Sequence, residues 1–127
     1  MNPQLILAVA LGGAIGSVTR HLISILSGRA FGTDFPWGIF IINVTGSFLI
    51  GAFIGLFAAK WDLSQTTRTF LVTGICGGYT TFSSFSLDGF YLMERGAYWA
   101  AAFYIVGSVV FSIGALIAAI HLVRLVP

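Results

Sequence analysis

Charge is the scarcest commodity in this chain: six Lys or Arg and four Asp or Glu among 127 residues, 8% of the total, where a soluble domain carries roughly 25%. So few charges cannot build a water-facing surface. Cysteine is almost absent as well. Cys76 stands alone, which excludes a disulfide framework and a cysteine-based zinc site. A net charge of +2 is too small for a polyanion footprint, so no nucleic-acid partner is expected. No basic residue precedes the first apolar run, and the triplet Ala8-Val9-Ala10 follows too short a core for a secretory signal. That run is expected to stay in the protein as a membrane span.

What is present is hydrophobic length. Mean hydropathy is +0.98, and residues 1–19, 35–59, 69–87 and 96–123 carry no Asp, Glu, Lys or Arg. Each stretch has at least 19 residues, about what an α-helix needs to cross a hydrocarbon core of ~30 Å at 1.5 Å per residue. The pattern predicts an all-α membrane protein, a single domain over 1–127 with spans at about 3–26, 36–60, 66–93 and 98–123. The connections are short, so the helices are expected to be antiparallel neighbours. Pro36 suits the start of the second helix. Trp37, Trp61, Trp99, Tyr91 and Tyr98 fall near span ends, where amphipathic rings settle among headgroups. Gly12 with Gly16, and Gly51 with Gly55, are spaced to let helix backbones approach.

Orientation is undecided by charge. With four spans, both termini and the second loop share one side with Lys60, Arg68 and Arg124, and Arg20, Arg29 and Arg95 belong to the other. Three against three leaves little positive-inside bias, and discounting Arg20 as a residue inside its span gives three against two. Such a chain is expected to insert both ways and to work as an antiparallel homodimer. Its two copies then supply the inverted symmetry that many transporters build from fused repeats.

The third span does not read as an ordinary helix. Gly74, Gly77 and Gly78 precede Thr80, Thr81, Ser83, Ser84 and Ser86. Glycine costs ~1 kcal/mol relative to alanine in a helix interior, and the adjacent pair predicts a break near Gly77-Gly78. Broken backbone at membrane depth is tolerated where protein or a water-filled cavity meets the freed groups. Beyond the break Phe82 and Phe85 share a face, and Thr81, Ser84 and Asp88 form another stripe. The hydroxyls have two readings, a polar lining or bonds back to their own helix carbonyls. Asn43 is an amide deep in the second span, beside Thr45 and Ser47, and must meet partners or water. Tyr104, Ser108 and Ser112 recur every four residues in the last span, where lining and packing both remain open. Neutral donors and ring edges, the positive rims of aromatic quadrupoles, suit an anion held at several weak sites. Arg20 fits either an attractor at a pore mouth or an interfacial, snorkelling side chain.

Gly12-Gly13-x-x-Gly16-x-x-x-Arg20, Gly38-x-x-x-x-Asn43-x-x-Gly46 and Thr73-Gly74-x-x-Gly77-Gly78-x-Thr80-Thr81-Phe82-Ser83-x-Phe85-Ser86 together resemble the Fluc fluoride channel family, also called CrcB-like. The resemblance covers essentially the whole chain. It implies a dual-topology homodimer in the inner membrane of a prokaryote, with two antiparallel pores through which toxic fluoride leaves passively. By that resemblance Phe82 and Phe85 face fluoride with their ring edges, Asn43 is the pore asparagine, Ser83 and Ser84 lie on a polar track, and Tyr104 stands near the pore. It also implies a structural sodium ion held by backbone carbonyls of Gly77 and Thr80 from both subunits. The donor type agrees, because a hard cation prefers oxygen. Asp88 departs from the family, which often has Glu there.

The rival reading is a proton-coupled exporter of cationic compounds, similar to the small multidrug transporters. Such an exchanger needs a membrane-embedded carboxylate, whereas Asp34 and Asp62 fall in loops and Asp88 and Glu94 late in the third span. An enzyme is not expected. His21 and His121 lie near span ends, far apart in sequence and without a neighbouring acid or nucleophile.

Overall fold

The computed structural model describes residues 1–127 and contains helices and no strand. The first helix, α1 (Pro3–Phe31), opens with the Asn2 side chain accepting from Gln4 N–H at 3.0 Å, a cap that satisfies one of the free amides at a helix start. It closes where Gly32 adopts a φ of 80° and donates its N–H to the Gly28 carbonyl at 3.0 Å. This helix runs five residues beyond the expected end at 26. Gly28 suggested a loop, but one interior glycine costs only ~1 kcal/mol and Ser27 packs inward.

Helix α2 (Trp37–Ala59) follows Pro36, which caps it from outside. The last long helix, α6 (Tyr98–Leu125), begins where expected and extends slightly further. Those three helices are long and apolar enough to cross a membrane. Between α2 and α6 the chain forms a run of segments. Helix α3 (Gln65–Arg68), capped by the Ser64 side chain, leads into a π-helical stretch, Thr69–Cys76, then a single turn, α4 (Gly77–Tyr79). Thr80 and Thr81 are extended, and α5 (Phe82–Glu94) resumes with the Thr81 hydroxyl accepting from Ser84 N–H at 3.2 Å.

The break therefore falls at Thr80-Thr81, not at Gly77-Gly78. Both glycines stay helical, and Gly78 serves packing instead: a Cβ there would lie 2.5 Å from the Gly13 carbonyl oxygen. A Cβ on Gly12 would similarly lie 2.6 Å from the Phe70 carbonyl oxygen. Backbone against backbone is what seats the π-helical stretch and α4 on α1. Gly51 does the same for α2, where a Cβ would strike the backbone of Leu116.

Packing follows from these contacts. Helix α2 pairs most extensively with α6, and α1 with the π-helical stretch. The tightest core lies where α5 meets α6, with Leu92, Ala101 and Tyr104 packed under Phe35, Phe40 and Phe85. Only 19 of the 127 residues are buried, and large apolar side chains such as Leu11, Val18, Val106 and Val110 point outward. An outer surface of that kind belongs against lipid or a second chain.

Candidate functional site

One side-chain amide ends the third span. Asn43 of α2 donates from Nδ2 to the Thr81 carbonyl at 3.1 Å and accepts the Thr81 N–H on Oδ1 at 2.8 Å. Only one orientation of the amide satisfies both bonds. The two polar groups that an unbroken helix would keep internal are thus answered from outside, and the backbone at 80–81 stays extended. Arg20 Nη1 donates to the Thr80 carbonyl at 3.1 Å, and Ser17 Oγ to the Gly78 carbonyl at 3.5 Å. Thr80 ties itself to the preceding turn, its N–H and hydroxyl both donating to the Cys76 carbonyl, at 3.0 and 2.9 Å.

Beside this break lies a groove of about 320 Å³. Helix α2 contributes Asn43, Ser47 and Ile50, and the break contributes Thr80 and Thr81. Phe82 and Phe85 line it from α5, and Ser108, Val109, Ser112 and Ile113 from α6. The two phenyl rings lie 5.5 Å apart, tilted by 46°. Phe82 is 79% exposed, far more than a ring serving the core. No charged side chain lines the groove.

Ser108 and Ser112 carry the strongest chemical signal. Their hydroxyl oxygens are buried and have no hydrogen-bond partner in the protein, which costs about 1–3 kcal/mol for each such group. They stand one helical turn apart on α6, in the lining of the same groove as the two phenylalanines.

The remaining candidates divide. Ser83 and Ser84 Oγ each lie 3.2 Å from the Thr81 hydroxyl, at the cap of α5 and outside the groove lining. Ser86 donates back to the Phe82 carbonyl at 2.9 Å, an ordinary helix self-bond. Tyr104 is fully buried, packs against Phe85 at 5.3 Å with the rings tilted by 34°, and donates its hydroxyl to Asp88 Oδ2 at 3.1 Å. Arg20 stands eleven residues before the end of α1 and reaches the break, so it is neither at the end of its helix nor in the groove. Gly77 is exposed beside the break.

Ser47 was visible beside Asn43 but not counted as a site residue. Its spacing of four from Asn43 was the available signal. Ile50, Val109 and Ile113 gave none, since apolar residues on apolar helices look alike. Thr45, by contrast, is occupied elsewhere, donating to the Ile41 carbonyl at 2.6 Å and lying 2.9 Å from the Tyr79 hydroxyl.

Hydroxyl protons, an amide and ring edges form a surface that can donate to a small anion while holding no fixed charge against its release. The residues Gly77 and Thr80 also fit a cation. Thr81 N–H, the donor that would serve the Gly77 carbonyl in a continuous helix, goes to Asn43. The Thr80 carbonyl keeps a second lone pair beside its bond to Arg20.

The family description "CrcB-like protein, Camphor Resistance (CrcB)" matches residues 7–120. A protein of Nitrobacter winogradskyi named fluoride-specific ion channel FluC is 64% identical over 126 residues, 99% of this chain and 100% of its own. The FluC proteins of Rhodopseudomonas palustris and Agrobacterium fabrum are 52% and 53% identical, covering 93% and 91% of this chain and 95% and 93% of their own. These matches run through α1 to α6 and include the groove and the break, and the chain accordingly belongs to the CrcB-like family.

Proposed function

We propose that this integral membrane protein is a fluoride-specific ion channel through which the anion leaves the cell passively. The observation that carries the proposal is the pair of buried, unpartnered hydroxyls of Ser108 and Ser112, which line one groove with Phe82 and Phe85 at a helix break. Relatives at 64% and 61% identity carry the name fluoride-specific ion channel, which supplies the identity of the anion. Asn43, Thr81, Phe82, Phe85, Ser108 and Ser112 are assigned to the pore wall. Tyr104 backs Phe85, Ser83 and Ser84 continue the polar surface along α5, and Arg20 draws the anion toward the break. Several neutral stations in series let an ion bind and leave.

The active species in this proposal is an antiparallel homodimer of four-span subunits with two pores, in the cytoplasmic membrane of a prokaryote. The α3 to α5 segments together form the third of the four spans, and the exposed side of the break at Gly77 meets its counterpart in the second copy. A structural sodium ion would there draw on Gly77 and Thr80 carbonyls of both copies. Neutral oxygens suit a weakly charged hard cation.

Fluoride efflux from liposomes holding the purified protein tests this directly. Fluoride leaves and chloride does not; equal chloride efflux, or none of either, refutes the channel. Replacing sodium by a large organic cation lowers fluoride flux and dimer stability together, and an unchanged dimer under that exchange removes the sodium. A proton-coupled exporter is less well supported, because Asp88 lies outside the groove and its Oδ2 already accepts from Tyr104.

A further inference from the structure

Phe35 has no part in the groove, yet it is placed with care. It lies on the five-residue connection 32–36 between α1 and α2, and its half-buried ring meets Trp37 at 4.6 Å, Phe103 at 5.8 Å and Tyr104 at 5.6 Å. Toward Tyr104 the rings are perpendicular, at 86°, the edge-to-face arrangement that aromatic quadrupoles favour. Tyr104 therefore meets two rings, Phe85, which lines the groove, and Phe35, which does not.

A second cavity, of about 230 Å³, has walls that include Phe35, Asp88, Ser24 and Thr33. Tyr104 lines neither space, but its partners do, Phe85 the groove and Phe35 and Asp88 this cavity, and its single O–H proton is committed to Asp88. A phenol has one donor, so the angle of that ring decides where the donor points. The connection bearing Phe35 is itself fixed. Gly32 N–H donates to the Gly28 carbonyl at 3.0 Å and Trp37 N–H to the Phe35 carbonyl at 2.8 Å, and the Arg95 guanidinium donates to the carbonyl of Asp34.

We infer that Phe35 is a positioning residue for ion passage: held by the α1–α2 connection, it sets the Tyr104 ring and so the direction of the phenol proton between groove and second cavity. The inference rests on the channel proposal for its flux consequence and not for its geometry. Phe35→Leu keeps apolar bulk and removes the ring edge; Phe35→Tyr keeps the ring. In liposomes Phe35→Leu lowers fluoride efflux about two- to ten-fold, the population change expected from one lost aromatic pair, and Phe35→Tyr restores it. In a Tyr104→Leu background Phe35→Leu causes no further fall, because it acts through that ring. Equal flux in Phe35→Leu and wild type, or additive losses in the double variant, overturns the inference.

A second measurement separates the two proposals. 3-Fluorotyrosine introduced at position 104 gives a fluorine resonance that shifts in Phe35→Leu. An unmoved resonance overturns the role of Phe35 whether or not the protein conducts, whereas absent fluoride flux in wild type with a shifted resonance overturns the channel alone. Phe35→Met is read in the same two ways if Phe35→Leu does not accumulate.

Discussion

Asn43 and Phe82 show how differently two residues assigned to the pore wall can sit in a structure. Asn43 holds both backbone groups of Thr81, so Asn43→Ala strands a partly buried donor and acceptor at about 1–3 kcal/mol each. Its flux should fall by at least an order of magnitude, with a measurable loss of thermal stability. Phe82 is 79% exposed and supports little of the fold; Phe82→Ile should change stability by less than about 0.5 kcal/mol, as surface substitutions do. Its fluoride efflux should nevertheless drop steeply, because a branched alkyl group has no positive rim. Wild-type efflux in Phe82→Ile would remove that ring from the pore. The need of Asn43 for partners was legible in the sequence, since an amide in an apolar helix must be satisfied. Its partner was not, because Thr81 is 38 positions away and contributes backbone alone. The opposite is true of Ser86, whose conspicuous hydroxyl is spent on a local bond to the Phe82 carbonyl.

Long apolar runs located every extended helix to within a few residues, since uncharged length is a strong signal. The interruption was legible in kind but misplaced by three residues, from Gly77-Gly78 to Thr80-Thr81. Helix propensity is local, and the agent that ends this helix is tertiary. The π-helical stretch at Thr69–Cys76, where Gly77 N–H reaches back to the Val72 carbonyl, has no sequence signature of its own. Gly74 and Gly78 are explained by the neighbouring element: α1 approaches so closely that side chains cannot fit. Gly78→Ala must force α1 and α4 apart, an overpacking cost of about 1–3 kcal/mol or more, visible as a lowered melting temperature or loss of folded protein. Gly114→Ala in α6 meets nothing within 4 Å of its Cβ and should be neutral or stabilising by up to ~1 kcal/mol. Equal effects at both positions would show that glycine content, and not helix contact, is what matters.

At the scale of the whole molecule the scarce charges are so evenly split that they leave orientation undecided. Arg20 lies well inside α1 with its guanidinium on the Thr80 carbonyl, so it is no loop charge, and the count becomes Lys60, Arg68 and Arg124 against Arg29 and Arg95. Three against two is nearly neutral for a rule that works through loop Lys and Arg. Two sets of substitutions at exposed positions should push the balance in opposite directions. Combining Thr33→Arg, Lys60→Gln and Arg124→Gln leaves Arg68 facing Arg29, Arg95 and the added arginine; combining Arg29→Gln with Asp62→Arg leaves four charges facing Arg95. Each set expressed alone should place a C-terminal tag on one side only, opposite for the two, and yield no fluoride efflux, because identical orientations cannot form an antiparallel pair. Expressed together, the two sets should restore efflux, each supplying the orientation the other lacks. Full efflux from either set alone, with its tag confined to one side, would mean that the conducting unit does not require both orientations.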